Sequence, residues 1–72
     1  MLRYKIRLDT MHDATEFAKI ASQTTGNVHV IDGAGMRVNA KSVLGMLYAL
    51  EFNELWCESE FDIYTYIQKF VC

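Results

Sequence analysis

The chain has 72 residues, enough for one domain spanning residues 1–72, and its 51% hydrophobic and 22% charged content is typical of a folded protein. Its formal net charge of −2 argues against general nucleic-acid binding, which needs a basic surface to neutralise phosphates. No apolar run approaches the ~20 residues of a membrane-spanning helix and no signal peptide opens the chain, so the sequence predicts a cytoplasmic protein without membrane insertion.

The first element is an amphipathic strand. Apolar and basic side chains alternate from Leu2 to Leu8, which is the period-two pattern of a strand with one face in the core. The apolar set is Leu2, Tyr4, Ile6 and Leu8, and the basic set is Arg3, Lys5 and Arg7. We interpret the basic set as the solvated outer face of an antiparallel sheet, in preference to a dedicated anion site.

A helix is predicted over residues 13–22, where small and aromatic side chains recur at helical spacing. Two overlapping capping signals, Thr10 with Asp13 and Asp13 with Glu16, leave its first residue undecided within one turn. Its buried face is predicted to consist of Ala14, Phe17, Ala18 and Ala21.

Two short strands follow, over residues 27–31 and 36–38, and both are rich in β-branched residues. The segment Asp32–Gly35 between them is a hairpin signal, because glycine adopts the positive φ that tight turns demand. A phosphate-binding loop lies between a strand and a helix, whereas these two glycines lie between two strands. We therefore interpret the segment as a turn.

The second helix is predicted over residues 42–50, with Ser42 as its N-cap. Gly45 lies inside this helix at a cost of about 1 kcal/mol relative to alanine, which suggests that another group packs closely against its backbone. The buried stripe is predicted to be Val43, Leu44, Leu47 and Leu50.

The last strand is predicted over residues 54–58. The segment Ser59–Asp62 has the pattern of a capping box, which predicts a final helix that runs through Val71. The core face of that helix is predicted to be Ile63, Tyr64, Ile67, Phe70 and Val71. The order β-α-β-β-α-β-α predicts an α+β fold, in which three helices cover one face of a four-stranded antiparallel sheet. The other face of such a sheet is open to water.

The segment Lys41–Met46 resembles the regulatory-serine segment of the histidine-containing phosphocarrier (HPr) family of the bacterial sugar phosphotransferase system. In that family the serine opens the second helix and follows a strand ending in Val-Asn-Xaa-Lys, as Val38–Lys41 does here. The order of elements matches that family over essentially the whole chain, with a shorter connection after the second helix. The resemblance implies an HPr-like open-faced β-sandwich, regulatory phosphorylation of Ser42, and a reactive histidine after the first strand.

His12 takes the place of that reactive histidine. The family motif is Gly-(Leu/Ile)-His-Ala-Arg-Pro, and the matching stretch here is Thr10–Thr15. The apolar residue and the histidine match, whereas the other four motif positions differ. The resemblance therefore implies that His12 is the phosphoacceptor, at a site whose surroundings have changed.

The changed residues weaken the expected chemistry. A neutral imidazole nitrogen can attack a phosphoryl group, and free amides at the start of the next helix, which we expect His12 still to have, can hold the phosphate oxygens. Ala14 replaces the motif arginine and removes its charge-assisted contacts, while Asp13 places a negative charge beside the incoming phosphate. Arg7 and Arg37 are the two candidates to replace the missing arginine.

No metal site and no cofactor are predicted, because the histidines and cysteines show none of the short-spaced ligand pairs of a zinc site. Cys57 and Cys72 are interpreted as free thiols in a reducing compartment. His29 is interpreted as a sheet-surface residue rather than a ligand.

Two functions follow from these residues and the resemblance. The preferred one is an HPr-like protein of the phosphotransferase system or its regulation that acts by protein–protein docking, with weakened or absent phosphotransfer at His12. Its docking surface is predicted to include Met11, Met46 and Leu47, and its partners to be phosphotransferase-system proteins or a transcriptional or kinase regulator. The alternative is an active phosphocarrier that relays phosphate through His12 to a sugar-transport component.

Overall fold

The computed structural model describes all 72 residues, and its elements follow the predicted order. They are β1 (Leu2–Ile6), α1 (Met11–Ser22), β2 (Val28–Ile31), β3 (Arg37–Asn39), α2 (Val43–Ala49), β4 (Leu55–Ser59) and α3 (Tyr64–Ile67), the last continued by a 3₁₀ turn over Gln68–Phe70. The strands form one sheet in the order β1-β4-β2-β3, and every pairing is antiparallel. The predicted α+β class is confirmed, and the open-faced sandwich is consistent with the one that the HPr resemblance implies.

The core lies between the sheet and the helices. Phe17 of α1 is fully buried, and its ring packs edge-on against Phe70 with centroids 5.3 Å apart. The three predicted alanines of α1 are buried with it, so the predicted core face of this helix is confirmed. On β1, Leu2 is exposed rather than buried, because it opens the strand in the last pair of the ladder with β4.

The predicted buried stripe of α2 is wrong at its first two positions. Leu44 is 79% exposed and Val43 is half-exposed, whereas Met46 and Ala49 are fully buried. The cause is Gly45: a Cβ added there would lie 2.9 Å from the carbonyl oxygen of Asn39, so only glycine allows this side of the helix to approach β3 so closely. The helix is therefore rotated with Met46 inward and Leu44 outward.

The predicted capping box before α3 does not form. Ser59 is the last residue of β4, and its hydroxyl donates to the carbonyl of Phe61 instead of capping a helix. The helix begins at Tyr64, where the Asp62 carboxylate accepts a hydrogen bond from the Tyr64 amide at 3.0 Å. Strand pairing explains the difference, because Ser59 is held opposite Leu2 and cannot turn into a helix.

The final segment also covers the edge of β1. The Cys72 amide donates to the carbonyl of Lys5 at 2.9 Å, and the Arg7 amide donates to the carbonyl of Phe70 at 2.8 Å. Val71 forms an isolated antiparallel bridge with Ile6 and is half-buried. Ile63, Ile67 and Phe70 are buried as predicted, whereas Tyr64 is exposed. The predicted helix through Val71 is too long, because α3 ends at Ile67, the 3₁₀ turn ends at Phe70, and Val71 pairs with β1.

The helices are short, and α1 is the longest at 12 residues. None of them combines the length and the apolar character that crossing a membrane would require.

We predict that Gly45→Ala lowers the free energy of unfolding by about 1–3 kcal/mol, as overpacking does. Helix propensity alone predicts that alanine raises the free energy of unfolding by about 1 kcal/mol, so propensity and overpacking act in opposite directions. The Asn39 carbonyl cannot retreat freely, because it accepts a hydrogen bond from the Ser42 amide at 3.1 Å. Urea denaturation of both proteins measures the difference.

Gly33→Ala is the matched control. Its added Cβ would meet only the carboxylate end of Glu54, which can move aside, and Gly33 does not adopt a positive φ. We expect a change close to zero there. An unchanged or raised stability for Gly45→Ala would contradict the close packing of α2 on β3.

Candidate functional site

His12 is the second residue of α1 and its side chain is exposed. Thr10 is the N-cap of this helix, and its hydroxyl accepts a hydrogen bond from the Asp13 amide at 3.1 Å. The Thr10 carbonyl accepts another from the Ala14 amide at 3.1 Å. The two amides that follow His12 are thus both bonded to Thr10, so they are not free to hold a phosphate at these two positions.

Carboxylates also surround the start of α1. Asp13 accepts a hydrogen bond from the Asp9 amide at 3.0 Å, which fixes its negative charge one residue after His12. Arg7 Nε donates to Asp9 at 2.9 Å. These three side chains line a cleft of about 450 Å³ together with Lys69, Phe70, Val71 and Cys72. Since Lys69 pairs with Glu16 at 2.8 Å, each cation of the cleft is already matched by a carboxylate.

Neither candidate replaces the missing motif arginine well. Arg37 lies on β3 and bonds to Glu58 on the sheet, so it is not available to His12. Arg7 lies before α1 but is paired with Asp9. Position 14 itself cannot serve, because Ala14 is fully buried in the core rather than directed toward the histidine.

Ser42 caps α2 as predicted: its hydroxyl accepts a hydrogen bond from the Gly45 amide at 3.1 Å. The preceding residue, Lys41, donates from Nζ to the carbonyl of Thr24 at 2.9 Å, which places the start of α2 beside the end of α1. His12 and Ser42 therefore lie at opposite ends of α1. The helix is about 18 Å long, since an α-helix rises by roughly 1.5 Å per residue.

The direction of the strands explains this separation. Three successive antiparallel pairings make β1 and β3 run in opposite directions, so the helices that follow them begin at opposite ends of the sheet. The starts of α1 and α2 do not form one surface.

The three predicted docking residues differ in how exposed their side chains are. Met11 is 66% exposed, Leu47 is partly buried against the core, and Met46 is fully buried and cannot contact a partner. The expectation for Met46 is wrong because Gly45 turns that side of α2 toward the sheet.

A different apolar surface was missed by the sequence reasoning. Leu44 and Tyr48 are 79% and 52% exposed, lie four residues apart on α2, and have the half-exposed Val43 beside them. We call these three residues the α2 ridge. The ring of Tyr48 packs edge-on against Phe52 with centroids 5.9 Å apart, which steadies the end of the ridge. The signal was available in the i,i+4 spacing of Leu44 and Tyr48, on the side of the helix away from Ala49.

The outer face of the sheet carries a charged cluster. Glu58 has a side chain only 8% exposed and accepts hydrogen bonds from Arg3 at 3.0 Å and from Arg37 at 2.7 Å. The hydrogen bond from Arg3 is the main cause that lowers the pKa of Glu58, and the charge of Arg37 adds to it. Beside Glu58, the Nδ1 atom of the partly buried His29 is enclosed and has no hydrogen-bond partner.

The thiols and possible metal ligands are dispersed. Burial raises the pKa of the Cys57 thiol to about 12, so Cys57 is an inert core residue, whereas Cys72 is exposed. No group of three or more histidine, cysteine or acidic side chains is arranged to hold a metal ion.

No protein-family model, no curated protein and no solved structure matches the chain. Function must accordingly be inferred from the residues and the geometry described above.

We predict that Ser42→Ala lowers the free energy of unfolding by about 0.5–2 kcal/mol, the usual cost of losing an N-cap. Ser42→Asp should lose little, because a carboxylate also accepts the Gly45 amide and lies at the positive end of the helix dipole. Thermal denaturation of the two variants measures the difference. Equal losses in both would show that the Ser42 hydroxyl does not act as a cap.

We predict that Glu58 makes stability depend on acid pH. Its folded-state pKa is lowered, so its contribution is present above the ordinary glutamate pKa of about 4.3 and is lost as the pH falls through the folded-state value. Glu58→Gln should be less stable than the native chain near pH 7, and the difference should shrink toward about pH 3. Glu51→Gln is the control, since it removes the same charge from an exposed position. Parallel pH profiles for both variants would contradict the prediction.

Proposed function

We propose that this chain is an HPr-like protein of the phosphoenolpyruvate-dependent sugar phosphotransferase system, or of its regulation, that acts by docking to partner proteins. Phosphotransfer at His12 is weak or absent in this proposal. Its support is the sheet order with three helices, the Val38–Met46 segment with Ser42 as a helix cap, and the exposed α2 ridge. The exposed α2 ridge is the observation that most directly supports docking to partner proteins.

The α2 ridge has the character of a protein-docking surface. Exposed apolar side chains that cluster on one element mark interaction sites, and tyrosine is among the residues that contribute most to binding energy. Because Gly45 and Met46 fix the helix against the sheet, the ridge is held in place before a partner arrives. A preformed surface loses less conformational entropy on binding.

The surroundings of His12 support weak phosphotransfer. The phosphoryl group would meet the Asp13 carboxylate, and the two amides that could hold its oxygens are bonded to Thr10. Arg7 donates from Nε to Asp9, whose negative charge offsets the positive charge that Arg7 could offer a phosphate. Each contribution that normally stabilises a phosphohistidine is reduced or already engaged in another contact.

Ser42 supplies a means of regulation in this proposal. Phosphorylation would add a charge of about −1.5 to −2 directly before the apolar side chain of Val43. The charge would meet the amide of Gly45 and the positive end of α2, so the helix would persist. Its effect would fall on the partner, which would meet a phosphate beside the α2 ridge. The partners are phosphotransferase-system proteins or a transcriptional or kinase regulator.

The alternative is an active phosphocarrier that relays phosphate through His12 to a sugar-transport component. The exposed position of His12 in the first turn of α1 favours it, because a donor can approach the imidazole.

The test uses the general phosphotransferase enzyme of the system with labelled phosphoenolpyruvate, and measures both binding and phosphate incorporation. We expect binding with little incorporation. Leu44→Asp and Tyr48→Asp should each weaken binding by roughly tenfold or more, because a charge replaces an apolar side chain that the partner would bury. Tyr66→Asp is the matched control, since the exposure of Tyr66 lies between those of Tyr48 and Leu44 but Tyr66 is on α3, and this variant should bind as the native chain does.

Three outcomes decide between the hypotheses. Rapid, stoichiometric labelling that His12→Ala abolishes would establish the active phosphocarrier. Native binding by both α2 variants, or equal weakening by Tyr66→Asp, would contradict docking through the α2 ridge. If the chain does not bind the enzyme at all, the general phosphotransferase enzyme is not a partner, and the proposed role through that enzyme is contradicted.

A further inference from the structure

No helix covers the second face of the sheet, and its side chains form two rows across the strands. We call this surface the open face; its rows are Arg3, Glu58, His29 and Asn39, and Lys5, Trp56, Ile31 and Arg37. Three of these side chains are basic and one is acidic, so the open face has a net charge of +2 in a chain whose formal net charge is −2. The charge of this face is opposite to that of the whole chain.

The two arginines of the open face are held in place by one carboxylate. Arg3 and Arg37 come from the two edge strands and donate to different oxygens of Glu58, so the side chain of Arg37 must cross β2 to reach it. Each arginine donates one hydrogen bond there, whereas a guanidinium group has five N–H donors. Both side chains remain about half-exposed, which leaves donors directed to water. The pair is a preorganised fork for a second carboxylate.

An apolar strip lies beside this fork. Trp56 and Ile31 are cross-strand neighbours in register, and both are only partly buried. Lys5 Nζ lies 5.1 Å from the centroid of the Trp56 ring and 3.2 Å from the Glu54 carboxylate, so its charge is already engaged at the rim. The positive charge that a ligand would meet is therefore concentrated at Arg3 and Arg37, next to an aromatic surface.

We propose that the open face binds an acidic peptide segment of a partner protein, with a carboxylate on the Arg3–Arg37 fork and an apolar side chain on the Trp56–Ile31 strip. Charge complementarity selects this occupant. A nucleic acid would need a more extended basic surface and more than one stacking aromatic.

The site is independent of the α2 ridge, since it lies on the opposite side of the sheet from the helices.

The probe is a short fluorescein-labelled peptide of alternating glutamate and leucine, compared with the same peptide carrying glutamine for glutamate. Binding is measured by fluorescence anisotropy and by the emission of Trp56, the only tryptophan of the chain. We expect the glutamate peptide to bind roughly tenfold more tightly than the glutamine peptide, and its binding to weaken with salt. Trp56 emission should change on binding, because the peptide covers the ring.

Matched variants locate the site. Arg37→Gln should weaken binding by roughly fivefold or more, whereas Lys19→Gln, which removes the same charge from an exposed position on α1, should change it by less than about twofold. Glu58→Gln should tighten binding, since it removes the competing negative charge while the glutamine oxygen can still accept a hydrogen bond from one of the two arginines. The double variant with both Arg37→Gln and Glu58→Gln removes one charge of each sign, and it should bind the peptide more weakly than Glu58→Gln alone. This comparison tests Arg37 even if the single variant Arg37→Gln fails to fold.

Several outcomes would overturn the proposal. These are equal affinity for the two peptides, equal weakening by Lys19→Gln and Arg37→Gln, or tighter binding to polyuridylate or phosphatidylserine vesicles than to the peptide. Leu44→Asp separates this site from docking through the helices, because it should leave peptide binding unchanged. A loss of peptide binding in that variant would place the site on α2 instead.

Discussion

The approach of Gly45 to the Asn39 carbonyl determines which side of α2 meets the sheet. With no Cβ at this position, the helix lies against β3 and buries Met46 and Ala49. A short helix has few apolar contacts, so one backbone approach is sufficient to set its rotation about its own axis. That rotation leaves Leu44 exposed, and the apolar ridge on the outside of the molecule is a direct consequence of packing on the inside.

The two helix caps use the same chemistry with different consequences. The Thr10 side chain and carbonyl occupy the two amides after His12, which stabilises α1 but engages donors that a phosphate on the histidine could otherwise use. The Ser42 hydroxyl also accepts an amide, yet here the capping residue is itself the group that the resemblance implicates in phosphorylation. Helix stability thus competes with phosphate binding at the first cap and is compatible with it at the second.

Local signals in the sequence were sufficient for much of the fold. Alternation in β1, the alanine face around Phe17 and the cap at Ser42 each depend on residues close in sequence, and each was predicted from them. At the start of α1 the sequence left two overlapping caps open, and the structure has Thr10 as the N-cap. The capping box at Ser59 was wrong because strand pairing with distant residues overrides a local preference. Likewise, Arg3 and Arg37 meet at Glu58 only through the strand order, which no local pattern specifies. The orientation of α2 depended on a contact with Asn39 that apolar spacing does not reveal.

The pairing of Val71 and Cys72 with β1 has a consequence for how the molecule associates. An unpaired sheet edge can recruit a strand from another chain, which leads to edge-to-edge aggregation. Here one edge is occupied by the chain's own backbone around Lys5, and the other edge, β3, is only three residues long. Neither edge offers a long template for strand addition. The two broad surfaces then offer the larger areas for contact, and their side chains can change without disturbing the backbone ladder.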